Sequence, residues 1–250
     1  MTDTALDEAW IRRFHPGPGG SPTLACFPHA GGSASYFYPL SDLLSGSAQV
    51  VALQYPGRQD RRHEPCLSTI DELADEAYAA LEPLLDGPVA LFGHSMGATI
   101  AFEVADRMRA RGDTAPLTLF ASGRRAPSTH RDETVHLRDD AGLLAELKRL
   151  SGTASAVLDD EELTSMILPP LRSDYAAIER YRHRPGPRLD CPVAALVGDT
   201  DPRCTLDEAR AWASHTNGPF TVTTFTGGHF YLADHQRAVA DLVTRQLASA

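Results

Sequence analysis

The sequence predicts an α/β fold: a mostly parallel central sheet covered by helices on both faces, with a helical insertion. Three observations carry this prediction. Short apolar runs recur along the chain, helical patterns fall between them, and the interval from Ser122 to Cys191 shows no strand. Most runs are continuously apolar rather than alternating, as strands buried on both faces read. Strand alternating with helix implies parallel pairing through right-handed crossovers.

Taken in order, the strand candidates are "TLACFP" (23–28), "VVALQYP" (50–56), "VALFG" (89–93), "LTLFAS" (117–122), "VAALVG" (193–198) and "FTVTTFTG" (220–227). Between them, "IDELADEAYAALEPLL" (70–85) spaces its apolar positions three and four apart, with Asp71, Glu72, Asp75 and Glu76 on an exposed face. "ATIAFEVADRMRARG" (98–112) ends in basic residues and a glycine, which suits a helix C-terminus. "TLDEARAWASH" starts on a cap-like Thr205, with Asp207 and Glu208 in its first turn, and "FYLADHQRAVADLVTRQLAS" closes the chain. The strandless interval holds a polar stretch, "GRRAPSTHRDETVHLRDD", then "AGLLAELKRLSG" and "EELTSMILPPLRSDYAAIERYRH". It reads as a helical lid over 123–190, inserted in a single domain spanning 1–250, with Met166, Ile167 and Leu168 packing the lid helix or lining an acyl pocket.

The 250 residues suffice for one α/β domain with a sizeable core. At 42% hydrophobic and 22% charged the composition is that of an ordinary globular protein, and no apolar stretch approaches the roughly 20 residues of a membrane span. The acidic "MTDTALDEAWIRRF" start has no apolar signal core, which argues against secretion. Cys26, Cys66, Cys191 and Cys204 have no metal-like spacing, and a reducing cytoplasm is expected. A net charge of −10 argues against nucleic-acid binding and requires a local basic patch for any acidic partner.

Chemistry concentrates at "LFGHSMGATIAFEVA" (91–105). Gly93, His94, Ser95, Met96 and Gly97 satisfy G-x-S-x-G where a strand candidate becomes a helix candidate. Such a turn forces unusual backbone angles, and flanking side chains would strike the neighbouring elements, so the glycines leave Ser95 standing proud at a helix N-terminus. The plainer alternative is an ordinary strand-to-helix loop. A serine needs a base, and in the α/β-hydrolase order an acid and then a histidine follow it. His229 lies after Gly227 and Gly228, between the last strand and the last helix. After the preceding strand, "GDTDP" offers Asp199 and Asp201; Asp201 is preferred because Pro202 holds it in a turn away from the strand end, whereas Asp199 can hydrogen-bond its own loop. The oxyanion amides fall on Met96 and, in "CFPHAGGSASYF", on Ala30, with Gly31 and Gly32 permitting close approach. His29 in that loop is expected to shape it rather than to act as a base. Arg58, Arg61 and Arg62 read equally as a solvated loop paired with Asp60 and Glu64 or as a partner surface, and Arg124, Arg125 and Arg131 share the ambiguity.

Together "FPHAGG", "LQYPGR", "FGHSMGA", "LPPLRSDY", "GDTDP" and "GGHFYL" resemble the type II thioesterases of polyketide and nonribosomal peptide synthesis, from about Leu24 to Leu232. The resemblance implies the α/β-hydrolase fold, with Ser95 as nucleophile, Asp201 as acid, His229 as base, and the amides of Ala30 and Met96 as oxyanion hole. It implies as substrate an acyl group on the phosphopantetheine arm of an acyl or peptidyl carrier protein. It also implies that no metal or bound cofactor is required. Carriers of this type tend to be acidic, so docking is expected through Arg58, Arg61, Arg62, Arg124 and Arg125. Ser151 and Ala154 replace an expected glycine and proline, which bears on lid shape. The elbow and triad alone leave open an esterase, an acyltransferase, or a non-catalytic binding module of the same fold.

Overall fold

A computed structural model of the chain describes residues 9–151 and 161–248; most of the acidic N-terminal stretch and Ala154 lie outside the described residues. Seven strands form one sheet: β1 (Ile11–Arg12), β2 (Thr23–Phe27), β3 (Gln49–Leu53), β4 (Val89–His94), β5 (Leu119–Ser122), β6 (Val193–Gly198) and β7 (Phe220–Phe225). The order is β1-β3-β2-β4-β5-β6-β7. Every pairing is parallel except β1 with β3, giving the expected α/β-hydrolase architecture.

Both faces are covered. Ala25, Phe27, Leu53 and Leu91 face one apolar core, while Leu24, Cys26, Ala52 and Phe92 face the other. This is why the sequence shows unbroken apolar runs. Edge strand β7 is the exception, with no fully buried residue along Phe220–Phe225. The helices are α1 (Tyr38–Leu44), α2 (Ile70–Leu81), α3 (Met96–Arg111), α4 (Asp140–Ser151), α5 (Glu161–Arg180), α6 (Leu206–Arg210) and α7 (Gln236–Ala248).

Local chemistry sets several boundaries. Thr69 and Glu72 form a reciprocal capping box that starts α2. The helix stops short of the expected Leu85 and tightens into a 3₁₀ turn at Glu82–Leu84 carrying Pro83, whose missing N–H cannot extend an α-helix. A second capping box, Thr205 with Glu208, opens α6; the predicted single helix there divides into α6 and a 3₁₀ turn, Ala211–His215. Likewise the last helix begins at Gln236, because Tyr231 and Leu232 first turn inward and are buried. Gly112 closes α3 in the left-handed conformation (φ 81°). The two-residue β1 and the short α1, with Pro39 in its first turn, are absent from the sequence reading.

Between β5 and β6 no strand occurs among the described residues. Segment 123–190 instead carries α4 and α5, and Val135, Leu143, Leu171 and Tyr175 make a small apolar cluster of its own. Cys26, Cys66, Cys191 and Cys204 are free thiols. Among the described residues no helix is long and apolar enough to cross a membrane.

Candidate active site

The site is built where β4 becomes α3. Ser95 holds φ 55° and ψ −119°, a region that a residue with a Cβ rarely occupies. Both flanking glycines are forced by close approach. A Cβ on Gly93 would stand 2.2 Å from the Gly97 carbonyl oxygen, and one on Gly97 would stand 2.0 Å from the Phe27 carbonyl oxygen. Ser95 occupies the cap position of α3, yet its hydroxyl makes no capping bond. Its Oγ lies instead 2.8 Å from Nε2 of His229.

The loops after β6 and β7 bring the other two groups to the same sheet rim. His229 Nδ1 lies 3.0 and 2.9 Å from the two Asp201 carboxylate oxygens. Asp201 and His229 are both buried. Asp199 plays a different part, because its Oδ1 accepts the Gly227 N–H at 2.8 Å and so ties its own loop to the one that carries His229. The apposition is tight, since a Cβ on Gly198 would meet the Gly228 carbonyl oxygen at 2.3 Å. Ser95, Asp201 and His229 are thus brought together, and Asp199 stands apart from the imidazole as a tether.

Ala30 and Met96 line one cavity with Ser95 and His229. Met96 begins α3, where main-chain N–H groups lack helical partners and the dipole is positive. In the facing loop, Gly31 sits at φ 72° and donates its N–H to Asp174 Oδ2 at 2.8 Å. Asp174, on α5, is fully buried and holds Arg58 at 3.0 Å through its other oxygen. Arg58 also donates to the Gly32 carbonyl at 3.4 Å. One carboxylate from the 123–190 segment therefore anchors the loop whose Ala30 lines the cavity. Burial pushes the Asp174 carboxyl up, against the pull of Arg58 and the Gly31 N–H.

His29 is ringed by Tyr36, Phe230 and His94 at centroid distances of 4.5, 4.8 and 5.9 Å. Burial, then the charges of His229 and Arg58, lower its pKa to about 3, which leaves a poor proton acceptor at neutral pH. Its carbonyl accepts the Gly32 N–H at 2.9 Å, a loop-shaping contact. Behind Ser95, buried His94 shares a hydrogen bond of 2.9 Å with Ser122, whose hydroxyl lies 2.6 Å from the Tyr231 hydroxyl. That chain links β4 and β5 to the turn after His229. Burial, with His229 and His29 nearby, holds His94 neutral.

The arginines correct the expected docking surface. Arg58 is buried on Asp174. Arg61, also buried, pairs with Glu64 and donates to the Gln54 carbonyl. Arg125 pairs with Glu133 at 2.6 Å with 3% of its side chain exposed, and Arg131 pairs with Glu208. Arg62 alone of the 58–62 group stays on the surface as a cation. The residues that sequence reasoning missed are Asp174, His94, Ser122 and Tyr231. "LPPLRSDY" contained the signal for Asp174, a carboxylate in an apolar helical pattern, but its partner lies 116 residues away.

Comparison with known proteins adds three findings. The model of the thioesterase domain family matches residues 22–247. Thioesterase PikA5 of Streptomyces venezuelae is 50% identical over 99% of this chain and 89% of its own, and a probable cadicidin biosynthesis thioesterase of Streptomyces griseus is 52% identical over 98% and 68%. The solved structure of the type II thioesterase BorB from the borrelidin biosynthetic cluster superposes with a TM-score of 0.91 at 51% identity, covering 96% of this chain and 98% of that one.

Proposed function

This chain belongs to the thioesterase domain family as a type II thioesterase of polyketide and nonribosomal peptide pathways, and from that premise we propose that it hydrolyses acyl groups from the phosphopantetheine thiol of carrier proteins through Ser95, His229 and Asp201. The single observation that carries the mechanism is the hydrogen-bonded line from Asp201 to His229 to Ser95, at 2.9 and 2.8 Å.

Asp201 fixes the imidazole with Nδ1 protonated, leaving Nε2 free to take the serine proton. Ser95 Oγ then attacks the thioester carbonyl carbon. The oxyanion is received by the amides of Ala30 and Met96, each donor contributing about 3 kcal/mol to the transition state. The tetrahedral intermediate collapses, the C–S bond breaks, and the proton on Nε2 passes to the departing thiolate. Water, activated by His229, attacks the acyl-serine ester, releasing the free acid and restoring the serine. Segment 123–190 acts as the lid: its Leu147, Leu150, Tyr175 and Ile178 wall the cavity over Ser95. That cavity measures only about 30 Å³, room for little more than a water, so the acyl chain enters as these walls yield. A cytoplasmic setting beside the synthases is part of this reading.

Intact-mass measurement on a panel of acyl-carrier proteins tests it directly. The expected result is loss of the acyl mass with the native protein and retention with Ser95→Ala. Faster cleavage of a matched oxygen ester than of the carrier thioester would reject the assignment.

A further inference from the structure

A second cavity, of about 260 Å³, adjoins the first and shares Arg124 and Ile178 with it as common walls. It opens between α3, at Thr99, the loop after β5, at 125–130, and the end of α5 with the chain that follows, to Pro185. Thr99 lies four residues beyond Ser95, about one helical turn or ~6 Å along α3. The lining contains Arg124, Arg125, Arg182, His130 and His183 and, among the described residues, no carboxylate.

The charges there are not all neutralised. Arg125 and His130 have acidic partners in Glu133 and Asp132. Arg124 has no ion-pair partner among the described residues, although its surroundings press its pKa down to about 9, first through burial and then through Arg125. Exposed Arg182 donates through Nη1 to the main-chain carbonyls of Glu179 and Tyr181, not to a carboxylate. His183 Nδ1 is buried without a hydrogen-bond partner. The next imidazole, His215, lies 4.9 Å from His183 and is driven to about 4 by burial, then by His183 and Arg188. In a protein of net charge −10, this is a cavity of positive potential one partition away from the nucleophile.

Resting on the thioesterase reading above, we propose that this cavity is the subsite for the phosphate of the carrier-borne pantetheine arm, held chiefly by Arg124 and Arg182. A phosphodiester supplies the acceptor oxygens that unpaired guanidinium N–H groups require. An arm seated there runs past Arg124 and Ile178 toward Ser95. The basic patch that an acidic carrier demands is thereby found at this cavity, not on the 58–62 loop.

The test compares one short acyl group carried on pantetheine and on 4′-phosphopantetheine. Native protein is expected to show kcat/KM about tenfold higher for the phosphorylated substrate, chiefly through KM, and Arg124→Gln with Arg182→Gln is expected to bring the ratio near one. Arg182→Gln alone, at an exposed site, is expected to lower the ratio in the same direction should the double variant fail to fold. A ratio near one in native protein, or a full ratio in Arg182→Gln and the double variant, overturns the subsite. Hydrolysis of neither thioester by native protein would instead overturn the thioesterase reading. Acyl-carrier protein should lose at least as much as acyl-CoA in the variants; a loss confined to acyl-CoA overturns the assignment to a carrier-borne arm.

Discussion

Asp174 offers two lone-pair-rich oxygens to two different clients, the Gly31 N–H and the Arg58 guanidinium. Removing it as Asp174→Ala leaves a buried cation unpaired and should cost about 3–5 kcal/mol of stability, read from urea unfolding. Asp174→Asn keeps the volume but loses the charge, and a displaced Ala30 amide should lower kcat by about 10²-fold with KM little changed. Replacing both members of the pair by leucine should regain most of the stability and leave kcat low, because Gly31 still lacks its acceptor. Full activity in that double variant would show that the carboxylate does not position the loop. At the triad itself, Asp201→Asn should lower kcat by about 10⁴-fold, the cost of the wrong imidazole tautomer. Asp199→Asn should be milder, since an amide oxygen can still accept from Gly227.

The junction of β4 with α3 tolerates no added atom on either side of the nucleophile. Gly97→Ala would push a methyl group into the Phe27 carbonyl, at the end of β2 where the chain is held in register with Gly93 of β4. The expected outcome is a loss of about 2 kcal/mol or more, accompanied by loss of turnover as Ser95 is displaced, measured by thermal unfolding and steady-state rate. Thr69→Ala is the contrasting element-scale change. It removes the side-chain half of the α2 capping box and should cost about 1 kcal/mol, with kcat unaltered.

For the whole molecule, histidines that the fold holds neutral set the response to acid. In the unfolded chain an imidazole takes a proton near pH 6.5, whereas His29 in the folded protein stays neutral down to about 3, and His94 is shifted in the same direction. The unfolded state therefore binds more protons across that window. Stability is at its full value above about pH 6.5 and declines as pH falls toward 3, with a limiting slope of about 1.4 kcal/mol per pH unit for each histidine. Glu146, whose arginine partners hold it at about 2 against burial, adds a loss below its ordinary carboxyl range, as its native charge is titrated away. Urea midpoints measured from about pH 7 to 4.5 should fall steadily, and His29→Asn should flatten the trend; equal slopes in both proteins would contradict the assignment.

By itself the sequence determined the layer architecture and the places of the six long strands along the chain, and it pointed to the three residues that the structure brings together at the sheet rim. These follow from short-range rules: continuous apolar runs, helical spacing, and glycines that only a crowded turn requires. It also separated Asp201 from Asp199, through Pro202, although the Gly227 tether was invisible because it joins two loops. What only the tertiary structure decided is the fate of charge. Arg58 and Arg61 read as surface because a linear pattern shows only Asp60 and Glu64 beside them, while burial on Asp174 is set by how α5 crosses the loop after β2. The open cations Arg124 and Arg182 became distinguishable from the paired ones for the same reason. Hydrophobic periodicity is local and survives in one dimension; whether a guanidinium meets a carboxylate depends on a distance that exists only after the chain has closed on itself.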